Sequence, residues 1–335
     1  MERPLIAITM GDAAGIGPEI TCKALLKKDI YEMCRPVVIG DAKVLDNIIR
    51  LYSLPQKTHK ISSIAEGLYE VGTVDVLHSD DIDMDKLHFG ELSEMCGDAA
   101  VRYTKQACQM CMDGVIGAMV SAPLNKAAMR MAGYHYEGQT QIIGEMTGSQ
   151  NYGMMQLLGN IRTLMYTTHM SLEDACKKVT YEGILKKIHL ANEGMKFFPI
   201  KNPLIAVSAL NPHCGEGGLF GRQEIDAIEP AIKAAQGEGI NVIGPIPADT
   251  IYVKAKEGAY DLVISLYHDQ SNMAIKLLGF GSVVTLLAGV PVIRTSTGHG
   301  TAFDIAGKNI ASEHNLYEAI KTAAELAAHK MQMKE

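Results

Sequence analysis

Residues 5–27 read LIAITMGDAAGIGPEITCKALLK, and this passage decides the fold. Leu5–Thr9 is a short apolar run of strand length. Gly11–Glu19 is a glycine-rich loop, and Pro18–Lys27 has helical character with proline near the helix start, where its missing N–H costs no hydrogen bond. The same alternation returns down the chain. Pro36–Ile39, Val74–Leu77, Val115–Ser121, Thr163–Thr168, Leu204–Ala209 and Leu262–Leu266 read as buried strands. Lys43–Arg50, Asp98–Met112, Leu172–Met195, Gln223–Ala235 and Leu316–Lys330 read as helices, with Ser171 as an N-cap followed by Glu173 and Asp174. Strands that alternate with helices pair in parallel beneath a helical cover, so the chain is read as an α/β protein.

Composition narrows the function classes. With 335 residues, 47% hydrophobic and 21% charged, the chain has ordinary globular make-up and room for two domains. A net charge of −7 provides no general positive field for nucleic acid or an anionic membrane. Trp is absent, so base-stacking platforms are not expected either. No stretch approaches a membrane span, and the N-terminus lacks the features of a signal peptide. Seven scattered cysteines fit a reduced, cytoplasmic setting; Cys108 and Cys111 read as two thiols on a packed helix rather than as a redox or zinc pair.

Polar loops follow several of the strands, where α/β sheets bind ligands. Gly11–Glu19 is neither a phosphate loop nor a GxGxxG fingerprint, and both a structural turn and an anion-binding helix start fit it. His169, His213 and His268 each come just after a strand, so three imidazoles on one divalent cation are possible, as are three structural histidines. Asp249 and Asp269 occupy similar loops as ligand, partner of a histidine, general base or helix cap. Lys276 and Arg294 lie in apolar, strand-like runs; a buried cation needs a carboxylate or phosphate, whereas an exposed one snorkels.

Seven segments carry a resemblance: GDAAGIGPE (11–19), SAPLNK (121–126), TTHMSL (167–172), LNPHCGEGG (210–218), GPIPADT (244–250), YHDQ (267–270) and IRTSTGHGTAFDIAG (293–307). Together, in this order, they resemble the 4-hydroxythreonine-4-phosphate dehydrogenase family, including its threonate and erythronate 4-phosphate dehydrogenase-like members. The first and last also resemble the wider isocitrate/isopropylmalate dehydrogenase superfamily. The resemblance implies two α/β/α domains with a central cleft. The first would be discontinuous, residues 1–125 with 290–335, and the second, 126–289, would carry the metal ligands and the dimer interface. It implies a homodimer with a shared active site and a divalent metal on His169, His213 and His268, with ligands from both subunits. Zinc comes first among the metals, then magnesium, manganese or cobalt. It further implies substrate contacts from Thr140, Lys276 and Arg294, and an NAD adenosine loop at His299, Gly300, Thr301, Ala302 and Asp304.

The chain departs from the family pattern at Gln139, where histidine is usual, at Thr285, where asparagine is expected, and at Gly298, where aspartate is usual. Gln139 and Thr285 therefore join the substrate-contacting candidates. The function so implied is NAD-dependent, metal-dependent oxidation, with decarboxylation, of a small 4-phosphorylated 3-hydroxy acid. Asp249 is the candidate base and Lys276 the second catalytic candidate. The neutral Gln139 tilts the substrate toward a phosphorylated sugar acid. A metal-dependent hydrolase and a non-catalytic metabolite-binding protein are the competing classes, and NAD reduction separates them from the dehydrogenase.

Overall fold

The computed structural model describes residues 3–279 and 281–333. The chain divides into two units, Met1–Gln150 with Val290–Glu335, and Asn151–Gly289. The first unit contains β1 (Leu5–Thr9), β2 (Arg35–Gly40), β3 (Lys57–Ile61), β4 (Thr73–His78) and β5 (Ala118–Ser121). The second contains β6 (Gly153–Leu158), β7 (Ile161–Met165), β8 (Ile205–Ser208), β9 (Val242–Ile246), β10 (Leu262–Ser265) and β11 (Val284–Ala288). The chain then returns to the first unit with β12 (Arg294–Thr297).

The sheet of the first unit runs β3-β4-β2-β1-β5-β12, with every pair parallel. Its central strands are largely apolar because helices cover both faces of such a sheet, and Leu5–Thr9 is buried at all five positions. Within the second unit the strand order is β11-β6-β7-β10-β8-β9; the four strands from β7 to β9 are parallel, and β6 joins antiparallel to both β7 and β11. The α/β reading is therefore correct in both units. No helix of the described residues is long and apolar enough to cross a membrane.

Several sequence expectations shift. The first crossing between units falls at residue 150 rather than 125. The helices Lys126–Met131 and Gln139–Met146 pack through Met129 and Ile142 on Val101 of the helix Glu94–Met112, which anchors them to the first unit. The single helix expected over Leu172–Met195 is two, Leu172–Lys178 and Tyr181–Met195. Val179 is extended, and Thr180 caps the second helix by accepting from the Gly183 amide at 3.2 Å. The strand-like run around Lys276 is instead the helix His268–Gly279, which buries Ser271, Asn272 and Ile275 along one face. Gln223–Ala235 begins with a π-type turn, Glu224–Ile228, before the α-helix Glu229–Gly237, whose Pro230 has no N–H to give to the preceding turn.

Gly11 shows how tightly the first loop is built. Its φ is +74°, and a Cβ there would fall 2.4 Å from the Pro123 carbonyl oxygen. Gly11→Ala should lower stability by roughly 1–3 kcal/mol, or several degrees in melting temperature. An unchanged melting temperature would mean that the loop relaxes without strain.

Candidate active site

In the first unit β1, β5 and β12 are parallel neighbours, so Thr9, Ser121 and Thr297 leave the sheet at the same end. The chain turns one way from β1 to β2 and the other way to β5, which makes this edge a topological switch point. The loops that follow are tied together. The Asp12 amide donates to the Pro123 carbonyl at 2.9 Å, and the Ile16 amide donates to the Thr301 carbonyl at 3.0 Å. Asn125 Nδ2 reaches Thr301 Oγ1 at 3.5 Å. Gly15 makes room, since a Cβ there would lie 2.9 Å from Thr301 Cβ. The Ile16 amide is thus engaged by protein, which favours the structural-turn reading of GDAAGIGPE. Thr301 is buried and Ala302 half-buried, whereas His299, Gly300 and Asp304 are exposed. The Gly298 amide is fixed by Asn315 Oδ1 at 2.6 Å.

Arg294 opens β12 and is 4% exposed. Its Nε donates to Ser121 Oγ at 3.0 Å, and its Nη2 lies 3.5 Å from Gln139 Oε1. The Gln139 amide is oriented from its other end, where Nε2 donates to the Ala122 carbonyl at 2.9 Å. Among the described residues no carboxylate pairs with this guanidinium, and burial pushes it down to about 10. It is still charged at neutral pH, so the first unit carries a buried cation whose partners are neutral. Gln139 and Thr140 are the first two residues of the helix Gln139–Met146, and both are half-buried. Ser121 was not singled out from sequence; only the pairing of β5 with β12 brings it to Arg294.

In the second unit, register explains the histidines. Ser265 of β10 pairs with Met165 of β7, and Ile264 pairs with Val207 of β8. His169, His268 and His213 therefore leave the carboxyl ends of three adjacent parallel strands, with His268 on the central one. His169 and His268 come together, with ring centroids 5.6 Å apart. Thr167 holds the first loop, its amide at 3.3 Å and its hydroxyl at 2.8 Å from the Leu266 carbonyl. Gln270 holds the second by accepting from the Leu266 amide at 2.6 Å and donating to the Ala209 carbonyl at 2.8 Å. Asp269 Oδ1 lies 2.8 Å from His268 Nδ1. A carboxylate on Nδ1 keeps the proton there and leaves Nε2 with a free lone pair, which fits a metal ligand.

His213 stands apart from that pair. Its side chain is 71% exposed, its Nδ1 is 3.4 Å from Glu216 Oε2, and its ring meets Phe220 edge-on at 6.5 Å. Among the described residues no three His, Cys, Asp or Glu side chains form a group that could hold a metal. The expected triad is thus represented within this chain by two neighbouring imidazoles and one separate. The turn that bears His213 is left-handed, with positive φ at His213, Cys214, Gly215, Glu216 and Gly217. For L-residues this conformation costs roughly 1–2 kcal/mol each, so the surroundings must impose it. Asp249 is exposed in the first turn of the helix Ala248–Lys256, close enough to Cys214 to help raise its thiol, after burial, Glu224 and Glu229. Lys276 is exposed on the helix His268–Gly279. Thr285 is buried in β11 opposite Gln156, whose amide donates to Asn272 Oδ1 of that helix at 3.0 Å.

A family model described as pyridoxal phosphate biosynthetic protein PdxA matches residues 32–323. The D-threonate 4-phosphate dehydrogenase of Cupriavidus necator is 42% identical over 328 residues, 98% of each chain. A 4-hydroxythreonine-4-phosphate dehydrogenase structure from Burkholderia phymatum superposes with a TM-score of 0.89 at 41% identity, covering 97% of this chain and 99% of that one. One from Klebsiella pneumoniae gives 0.92 at 37% identity, covering 97% and 98%. Fold, loops and relatives together define an α/β dehydrogenase, an oxidoreductase acting on a CH–OH group. Within that class the chain belongs to the PdxA family.

One buried acid in the loop Gly11–Glu19 makes stability depend on pH. Asp12 is fully buried; Oδ1 accepts from the Ala14 amide at 2.9 Å, and Oδ2 has no partner among the described residues. Burial pushes its carboxyl from 3.8 up to about 6, against the pull of the Ala14 and Asn125 amides. The folded chain therefore holds this proton more tightly than the unfolded chain. The stability it contributes is complete below about pH 4 and is lost as pH rises through about 6, a change of roughly 3 kcal/mol. Asp12→Asn mimics the protonated form, so its melting temperature should exceed that of the native chain at pH 8 and converge with it near pH 4. A difference independent of pH would contradict this.

Proposed function

We propose that the protein oxidises the secondary hydroxyl of a small 4-phosphorylated 3-hydroxy acid with NAD, and that decarboxylation follows. The observation that carries the reading is Arg294, a buried guanidinium whose partners are a serine hydroxyl and an amide rather than a carboxylate. An anionic ligand group answers that charge, and the planar guanidinium suits phosphate or carboxylate through paired N–H bonds.

In this reading Arg294, Gln139 and Thr140 serve the substrate and His299–Asp304 the adenosine of NAD. His169 and His268 serve a divalent metal, with His213 as third ligand, donated across a homodimer. Zinc suits the imidazole donors best. Bound there, the metal contributes Lewis-acid polarisation of the substrate hydroxyl. NAD contributes a hydride acceptor. The residues of the chain do the rest. Asp269 keeps His268 in one tautomer, Lys276 and Arg294 hold anionic groups, and Asp249 accepts the hydroxyl proton. Removal of that proton and of the carbon-bound hydride leaves a β-keto acid, whose carbonyl accepts the electron pair when CO₂ departs. Seven free cysteines agree with a reducing, cytoplasmic setting.

Met273 and Leu277, four residues apart on the helix His268–Gly279, are 72% and 88% exposed. This apolar stripe on the helix that bears His268 and Lys276 supports the homodimer. Gln139 supports threonate or erythronate 4-phosphate over 4-phosphohydroxythreonine, since a neutral amide bonds to a hydroxyl and gives an ammonium no counter-charge. The name of the Cupriavidus necator relative agrees with that order.

The test is NADH formation from the three 4-phosphorylated acids, with metal present and after chelation. The two sugar-acid phosphates should have the higher kcat/KM, and chelation should abolish turnover. A higher kcat/KM for 4-phosphohydroxythreonine would reverse the substrate assignment, and no NADH from any of them would refute the reaction. Arg294→Lys should lower kcat/KM for the preferred substrate by about a hundredfold, since one donor point replaces a fork. Asp304→Ala should raise KM for NAD more than KM for the substrate.

A further inference from the structure

Glu224 is a fully buried carboxylate that the reaction does not use. Among the described residues it forms no ion pair; its partners are all N–H groups at the foot of the left-handed turn. Oε1 accepts from the amides of Leu210 at 2.9 Å and Asn211 at 2.7 Å, and Oε2 accepts from Asn211 Nδ2 at 2.8 Å. Asn211 Nδ2 also donates to Gln223 Oε1 at 2.8 Å. The far side of the turn closes on the same spot. A Cβ on Gly215 would lie 2.9 Å from Glu224 Oε2, and one on Gly221 would lie 2.6 Å from Asn211 Nδ2. The Phe220 amide donates back to the Gly215 carbonyl at 3.1 Å, which closes the loop above the carboxylate.

We propose that Glu224 is the positioning residue for His213: it clasps the foot of the left-handed turn at Leu210 and Asn211, lies against Gly215, and so holds the imidazole out in one orientation for a divalent cation. This rests on the metal reading above. The acid is required because three N–H groups converge on its two oxygens. A glutamine offers one acceptor oxygen and presents an NH₂ to the Asn211 amide, leaving at least one donor unmatched. The π-type turn at Glu224–Ile228 starts at this residue, as widened turns often do where a side chain must be aimed. The other side-chain contacts of the turn are weaker: Cys214 Sγ makes a 3.5 Å contact with the Pro245 carbonyl, and the Glu216 carboxylate that lies 3.4 Å from His213 Nδ1 is itself exposed.

The experiment compares the native chain, Glu224→Gln, the double variant Glu224→Gln with Asn211→Asp, and His213→Ala. In the double variant a carboxylate at 211 accepts from the introduced amide, which restores the pairing with reversed polarity. Two quantities are read: amide hydrogen exchange of peptides spanning 210–221, and Zn²⁺ affinity by titration. Glu224→Gln should speed exchange in 210–221 by at least tenfold with no change elsewhere, and should weaken Zn²⁺ by roughly 10- to 100-fold. The double variant should recover most of both. Unchanged exchange in Glu224→Gln, acceleration spread over the whole chain, or native Zn²⁺ affinity despite a loosened turn each overturns the proposal. Native Zn²⁺ affinity in His213→Ala overturns the metal reading instead. In that case local acceleration in Glu224→Gln still marks the clasp, but not its role toward the metal.

Discussion

Parallel strand pairing is the constraint on which the rest of this molecule depends. Strands that run the same way discharge their loops at one end of the sheet, and adjacent strands discharge them side by side. In the first unit that rule joins Gly11–Glu19, Ser121–Lys126 and the segment after Thr297, although they are far apart in sequence. In the second it aligns the loops after β7, β10 and β8. Most residues considered for chemistry lie in or just after such a loop; Gln139, Thr140, Lys276, Thr285 and Arg294 do not. Arg294 stands at the beginning of its strand and reaches its partners sideways, through the pairing of β12 with β5.

The two units solve the problem of buried polarity in different ways. In the first, a cation is fixed by weak, neutral partners and keeps its charge for something else. In the second, hydroxyls and amides satisfy one another: Thr163 Oγ1 meets Tyr252 OH at 2.8 Å and Ser271 Oγ at 3.2 Å, and Ser271 Oγ reaches Gln156 Oε1 at the same distance. Such a network locks the helix His268–Gly279 to the sheet, because any displacement would leave several buried groups unpaired. The rigidity of the His169–His268 pair follows from that network and from Gln270, none of which bears on chemistry directly.

Much of the fold was legible because buried parallel strands leave a strong trace: short, uniformly apolar runs closed by glycine or a polar loop. Edge strands leave little, and Lys57–Ile61, with one buried residue in five, was invisible for that reason. The run around Lys276 misled because its apolar residues are contiguous, and only its packing separates Ile275, turned inward, from Leu277, turned out. The candidate site was legible residue by residue, but its internal arrangement was not. Sequence spacing says nothing about which strands are neighbours, so the closeness of His169 to His268, and of Ser121 to Arg294, had no local trace. The left-handed path at His213 was equally hidden, since three of its five residues are types that rarely adopt it.

The discontinuity of the first unit has a consequence for synthesis. Its sheet ends on β5 until Arg294–Thr297 leave the ribosome, after all of Asn151–Gly289 has been made. During that interval β5 presents an unpaired edge, the kind that recruits stray strands. Ser121 waits for its arginine through the same interval. The last insertion into the first sheet therefore also installs its buried charge, and a chain stalled or cut between residues 150 and 290 retains five of that sheet's six strands without its cation.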